Sequence, residues 1–557
     1  MSKGADGKSL TSAFLKIKAY LSMHFITLIL SSLIVNGALI PDANVRTHLE
    51  GMCHACGHEV IFAQEGPDIA IPLETALANL GRTYVRKNYL GPHPPELNRS
   101  VGSLTAACLW YEVLTGSSCV GNTYVPAIMW SEPERVHVAQ LCAHAAIQSP
   151  DKPTDVGQMD IFMESLVESD RNIQLPDPLV MNNGRKVLTV RKWMRKRRPE
   201  LLSMFEREMF GKVPGCPAGL HFETLYCDRN ALHGIAVRKE IKIHFDDTGK
   251  HYLRLLVYTP SNAECPVPTF LGVNFNGNWA VSAEDGILMP TDEELARYGR
   301  VETLVRGENA SRWPLEEILA AGYGVATFYR GDIDPDFDDG FRNGVQPLFY
   351  KPGQDYPEPD EWGAIAAWSW GLSRALDYLE TDEDVDASRV AVIGHSRMGK
   401  VSLWTGARDT RFAMVISNDS GNCGAALTCR KFGETIGKVN YWNPHWFCDN
   451  FMKYSFNEES LPFDQHELIA LIAPRPVCVG SSNQDLNADP KGEFMGIRAA
   501  SSVYELFGLE GLSGAEFPQP GNYVGEGHLR YQLSTGPHGI NIDDWRQYLK
   551  FADMFLK

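Results

Sequence analysis

The residues best suited to chemistry lie in Gly394-His395-Ser396-Arg397-Met398-Gly399-Lys400. An apolar β-branched run, 390–393, precedes this stretch and a helical pattern, 401–407, follows it. A strand, a sharp turn with Ser at its tip and then a helix lift a hydroxyl clear of a sheet and set it over free helix N–H groups. Those groups suit the oxyanion of an acyl transfer. A Ser nucleophile also needs an imidazole to take its proton and a carboxylate to hold that imidazole. His538, in Thr535-Gly536-Pro537-His538-Gly539, is a late histidine on a glycine-containing loop ahead of a last helical pattern, with Asp543-Asp544-Trp545 just downstream. Its rivals are His466, which precedes a strand pattern and reads as structural, and His528, which lacks the Asp-Trp that follows.

Two carboxylates compete for the third role. Asp419, in Ser417-Asn418-Asp419-Ser420-Gly421, follows the strand after the nucleophile helix; Asp485, in Asn483-Gln484-Asp485, follows the next major strand, where hydrolases built on such sheets usually carry their acid. A second oxyanion donor is expected on the loop after an earlier strand, and Asn276, Gly277 and Asn278 have the right character. Arg397 follows the nucleophile, so its backbone N–H faces the same oxygen, and Lys400 lies one helical turn on, on the face of Ser396. Trp442, Asn443, His445 and Trp446 form a polar-aromatic group of the kind that binds sugar rings, and one or two of the four are expected to do so.

Two other groupings invite a metal and are set aside. Asp334, Asp336, Asp338 and Asp339 miss the spacing of a calcium loop, because Gly340 comes one residue late and Val345 stands where a Glu belongs. Cys53, Cys56 and His58 have no second ligand pair after them. No metal and no cofactor is expected.

The longer string Gly-x-Ser-Arg-x-Gly-Lys resembles the glucuronoyl esterases, and the resemblance runs over about 170–557 with its motifs in the family's order. It implies an α/β-hydrolase fold and a secreted serine esterase acting, through an acyl-enzyme, on esters of glucuronic acid or its 4-O-methyl form in glucuronoxylan or lignin–carbohydrate complexes. It gives the Arg397 guanidinium a share in the oxyanion site, Lys400 a reach to sugar hydroxyls, and the loop from Arg330 to Asp336 a place beside the site. The family commonly has Glu at the position of Asp419, which favours Asp419 as the acid with Asp485 as partner or substitute. Asn487 stands where a Trp is common. Two alternatives remain: a carbohydrate O-deacetylase on the same fold, and a carbohydrate-binding protein with a decayed site.

These residues need a scaffold. Short apolar runs at 269–275, 323–328, 390–393, 413–417 and 477–480 alternate with helical patterns such as 315–320 and 361–379. That alternation predicts a doubly wound, mostly parallel α/β sheet. The chain of 557 residues is long enough for two domains, and 44% hydrophobic residues can fill large cores. The division expected is a signal peptide or membrane anchor at 1–40, a small domain at 41–150, a linker at 151–170 and the esterase domain at 171–557. The apolar run 21–40 after Lys8, Lys16 and Lys18 suggests export to the exterior or periplasm; a membrane enters only if that run is an uncleaved anchor. The segment 41–150 resembles the second half of an SGNH hydrolase at Ile71-Pro72 through Asn79 and at Leu104 through Glu112, but has no Gly-Asp-Ser block, and Leu90 replaces the Asp expected before His93. It reads as a truncated, inactive remnant. A net charge of −17 argues against a nucleic-acid partner. The basic pattern at 190–210, with Arg191, Lys192, Arg195, Lys196, Arg197 and Arg198, therefore reads as a solvated helix face. Twelve cysteines are too few for a disulfide framework in a chain of this length.

Overall fold

The computed structural model describes residues 173–557 except Arg300 and Phe456. Before them it describes only 28–30, 33–35, 38–40, 47–49, 51–52, 60–62, 72–80, 101–124, 133–154 and 156. The Cys53 to His58 grouping, Leu90, His93 and most of the expected linker lie outside these residues. The chain divides into two compact units, Met1–Glu164 and Ser165–Lys557.

In the first unit, strands β1 (Leu28–Leu30) and β4 (Val60–Phe62) pair in parallel, and β2 (Leu33–Val35) pairs antiparallel with β3 (Ala38–Ile40). Three helices, α1 (Leu73–Leu80), α2 (Val101–Thr115) and α3 (Pro133–Gln148), bury Ala76, Leu104, Ala107, Cys108, Val138 and Cys142. The Asn79 amide donates to the Cys142 carbonyl at 3.1 Å, so a polar group inside this small core is satisfied rather than stranded. Among the described residues no helix is long and apolar enough to cross a membrane.

The second unit is built on a ten-stranded sheet. Its strands are β5 (His221–Asn230), β6 (Ala236–His244), β7 (Tyr252–Pro260), β8 (Val267–Asn274), β9 (Gly324–Tyr329), β10 (Val385–His395), β11 (Met414–Asn418), β12 (Val477–Ser482), β13 (Asn522–Val524) and β14 (Leu529–Ser534). The order is β13-β14-β12-β11-β10-β8-β9-β7-β6-β5. From β14 to β9 every pairing is parallel; β13 and the meander β7-β6-β5 add antiparallel edges. The predicted parallel strands are all present, and the antiparallel ones were not foreseen.

Helices cover both faces of this sheet, which is why its central strands read as unbroken apolar runs. Along β10, Val390 and Val392 point to one core, shared with α4 (Ala364–Leu379) and α5 (Arg397–Arg408). Ala391 and Ile393 point to the other, shared with α7 (Ile542–Asp553) and the helix Leu315–Ala320; the intervening α6 (Pro490–Ala499) packs on the first side through Phe494 and Ile497. This is the period-two alternation of a strand, applied to two apolar faces.

The basic helix departs from its expected role. It starts at Val190, widens into π turns at Trp193–Arg197 and Glu206–Phe210, and buries two of its arginines. Arg197 pairs with Glu467 at 2.9 Å, and Arg198 donates to the carbonyls of Leu471 and Ala407 at 3.0 and 2.6 Å. Only Arg191, Lys192, Arg195 and Lys196 remain on a solvated face.

Candidate active site

Ser396 occupies the turn between β10 and α5 with φ 58° and ψ −130°, a backbone region that costs a non-glycine residue roughly 1–3 kcal/mol. The turn is held by Ser396 N–H donating to the Asn418 carbonyl at 2.8 Å and by the Ser396 carbonyl accepting from Gly399 N at 2.8 Å. Two glycines make it possible. A Cβ on Gly394 would sit 1.8 Å from the Met398 carbonyl oxygen; one on Gly399 would sit 2.9 Å from Ser420 Cβ. The second glycine therefore falls where the helix crosses the end of β11. Met398, in the place where that glycine is usual, points into the core at 1% exposure.

His538 lies beside this turn, its ring centroid 4.6 Å from that of His395, the residue before the nucleophile. Its Nδ1 is 2.5 Å from Asp485 Oδ2. With Nδ1 so engaged, Nε2 is the nitrogen left for a hydroxyl proton. Burial works against the imidazolium, but the Asp485 hydrogen bond and the charges of Asp485, Asp419 and Glu434 outweigh it, so the His538 pKa is raised.

Asp419 is not the imidazole's partner, and the preference for it over Asp485 is corrected here. Its Oδ1 accepts from Ser482 N at 2.6 Å; its Oδ2 accepts from Ser482 Oγ at 2.8 Å and Gly539 N at 3.2 Å. Both oxygens are spent joining the ends of β11, β12 and the His538 loop. Burial raises its pKa to about 7 against the pull of His538. Asp419, Asp485 and His538 do bring ligand-type atoms within 4.8 Å of one another. His466 Nε2 donates to the Pro176 carbonyl, 2.9 Å away, and His528 rests against Phe555, so neither rival joins the site.

Arg397 points its guanidinium at Asp336, whose buried carboxylate also takes Arg330, His445 Nε2 at 3.0 Å and Trp446 Nε1 at 2.8 Å. Burial alone would protonate Asp336, but Arg397 and Arg330 hold its pKa well below the ordinary 3.8. Arg397 lies over the Trp446 ring, 5.0 Å from its centroid. Lys400, also expected to reach a ligand, is 2% exposed; its Nζ donates to the Ser420 carbonyl at 2.6 Å and pairs with Glu434 at 3.0 Å. The four residues of the polar-aromatic group separate accordingly. His445 and Trp446 are buried and fix the cations, while Trp442 and Asn443, at the end of helix Ile436–Trp442, are half-buried.

The side chains of the oxyanion candidates and the Gly277 amide are engaged within their own loop. Gly277 N–H is taken by Asn274 Oδ1 at 2.8 Å, and the Asn278 amide donates to the Arg254 carbonyl at 2.8 Å while its oxygen accepts from Asn274. With its amide oriented to satisfy its neighbours, Asn276 bonds Phe275, Glu302 and Asn309. These side chains and the Gly277 amide build the loop rather than open toward Ser396. The N–H groups at the start of α5, led by Arg397, remain the donors nearest the nucleophile. Sequence reasoning missed Asp336 as a hub, Arg330 and Glu434 as partners, and Glu493, which accepts from Ser420 and Ser481 hydroxyls and Gly421 N. Asp336 and Arg330 lay in a loop already singled out; the other two carried no local signal.

A family model described as glucuronyl esterase, fungi, matches residues 307–508. A carbohydrate esterase, MZ0003, from an unknown prokaryotic organism is 47% identical over 386 residues, covering 68% of this chain and 89% of that protein. A solved glucuronoyl esterase from Solibacter usitatus is 44% identical, with a TM-score of 0.66 over 70% of this chain and 99% of that one. The chain belongs to the glucuronoyl esterase family. Glucuronoyl esterases are carboxylic ester hydrolases, and the elbow, imidazole and carboxylate described above are the parts such an enzyme needs. Fungal likeness is narrower: 4-O-methyl-glucuronoyl methylesterase 1 of Wolfiporia cocos is 34% identical over 232 residues, 38% of this chain and 55% of that protein. The segment matched by the family model holds Ser396, Asp419 and Asp485 and ends before His538.

Proposed function

We propose that the second unit hydrolyses esters of glucuronic acid, or of its 4-O-methyl form, with Ser396, His538 and Asp485 as its catalytic triad. Ser396 Oγ attacks the uronate carbonyl as its proton passes to His538 Nε2, and the carbonyl electron pair moves onto oxygen. Collapse expels the alcohol, which takes the proton back from His538, and leaves an acyl-enzyme. Water, deprotonated by the same imidazole, then releases the uronic acid and restores Ser396. Asp485 holds the tautomer throughout. The Arg397 N–H and the guanidinium fixed by Asp336 and Trp446 serve the oxyanion side.

The observation that carries this reading is the Arg397 guanidinium, pinned next to the nucleophile by a buried carboxylate and an indole face. A polar acyl group rewards such a wall, and an acetyl group has nothing to offer it. Trp442 and Asn443 are suited to a sugar ring, and a glucuronoxylan or lignin–carbohydrate ester is the proposed natural substrate. The lysines ahead of the apolar run 21–40 support an exported enzyme. The test is a side-by-side assay on benzyl glucuronate and acetylated xylan. Turnover confined largely to the glucuronate supports the proposal; deacetylation with no glucuronate turnover overturns it.

A further inference from the structure

A second arginine stands near the nucleophile turn. Arg312 ends a short 3-10 turn, Ala310–Arg312, that is tied to α7 through the Trp545 indole donating to the Arg312 carbonyl at 2.9 Å. Its guanidinium lies 5.5 Å from the centre of the Phe275 ring, and that of Arg397 lies 5.7 Å from the same ring. Phe275 in turn meets His395 edge-on at 6.2 Å, one residue from the nucleophile. The two cations thus share one aromatic plate beside the elbow.

They differ in what neutralises them. Arg397 is paired with Asp336, and Arg330 with Asp336 and Glu302. Around Phe275 these two arginines and two carboxylates balance. Arg312 is half-buried, and its guanidinium has no hydrogen bond or ion pair among the described residues; Glu302 acts on it only from farther away. Burial and the neighbouring Arg397 cation both weaken its hold on its proton. A partly desolvated charge without a partner costs stability. That cost is offset when an anion arrives, and ester cleavage creates one at this place twice: on the carbonyl oxygen of each tetrahedral intermediate, and on the carboxylate of the released acid.

We propose that Arg312 supplies the uncompensated positive charge of the acyl pocket and meets the negative charge that cleavage places on the acyl oxygens. The ester itself is neutral there, so the arginine favours the transition state and the acid product over the bound substrate. It adds a specificity and catalytic role outside the elbow motif, and it rests on the nucleophile assigned above but not on the identity of the sugar.

The test compares Arg312→Gln and Arg312→Lys with the parent enzyme on benzyl glucuronate and on 4-nitrophenyl acetate, with free glucuronate as inhibitor. The acetate separates this proposal from the substrate reading, since any working serine esterase forms the oxyanion on it. Losing a donor of this kind should lower kcat of Arg312→Gln by at least about tenfold with KM changed less than about threefold. Arg312→Lys should recover part of the rate, and inhibition by glucuronate should weaken in Arg312→Gln. The side chain holds no other group in place, so a fold-wide effect is not expected, and Arg312→Lys controls for one. Unchanged kcat and unchanged glucuronate inhibition would overturn the proposal, as would a rise in KM alone.

Discussion

Asp419 and Asp485 end adjacent parallel strands, lie within reach of one imidazole and do different work. Asp419 is 2% exposed and has both oxygens occupied by Ser482 and Gly539. Asp485 keeps Oδ2 for His538, with Oδ1 against Ala488 N at 3.3 Å. A carboxylate already saturated by backbone and hydroxyl donors joins loops; one with a free oxygen orients a base. Glu493 extends the contrast. It is wholly buried beneath Ser420 and Ser481, and burial together with the Asp419 charge raises its pKa to about 8. The loop that carries Asp419 is thus a packed layer of buried carboxyl groups, whereas the loop that carries Asp485 faces the reaction.

The largest effect should come from removing the nucleophile both carboxylates serve. Ser396→Ala should lower kcat by about 10⁴-fold or more with the fold retained, as measured by initial rates and thermal unfolding. Asp485→Asn comes next, because an imidazole in the wrong tautomer cannot take the serine proton; kcat should fall roughly 10³–10⁴-fold. Asp419→Asn should keep kcat within about tenfold and instead lose about 1–3 kcal/mol of stability at pH 5, where a donor amide replaces an accepting oxygen. The sign at higher pH follows from its raised pKa. A carboxyl that ionises near 7 in the fold and near 3.8 outside it contributes stability below 3.8 that is lost as pH rises through about 7. The uncharged Asn is spared that loss, so the stability deficit of Asp419→Asn should be smaller at pH 8 than at pH 5. Equal rate losses in the two variants would erase the distinction drawn between the loops.

Much of this was legible before the fold. The elbow could be read because strand, turn and helix are contiguous and two glycines mark the close approaches. His538 could be read from its place on a late glycine-containing loop. The acid could not, because the choice between Asp419 and Asp485 depends on which donors reach each oxygen, and those come from Ser482 and Gly539, distant in sequence from Asp419. The bonds inside the oxyanion-candidate loop were hidden for a similar reason: Asn274 consumes the Gly277 amide and orders the Asn278 side chain. Asp336 was visible only as one of several acidic residues in a loop, because three of its four partners come from elsewhere in the chain: Arg397 from α5, and His445 and Trp446 from the segment after helix Ile436–Trp442. Strand β5 was overlooked because it is mostly exposed and lacks the apolar run that marks the central sheet.

The central claim is that Asp485 and not Asp419 governs His538, and the imidazole itself reports this. The His538 Cε1–H shift, followed by NMR against pH, should give a pKa above the ordinary 6.5 in the parent enzyme. Asp485→Asn removes both a hydrogen bond and a charge and should lower that pKa by more than Asp419→Asn, which removes a charge alone. A pKa at or below 6.5 in the parent, or a larger drop in Asp419→Asn than in Asp485→Asn, would contradict the account.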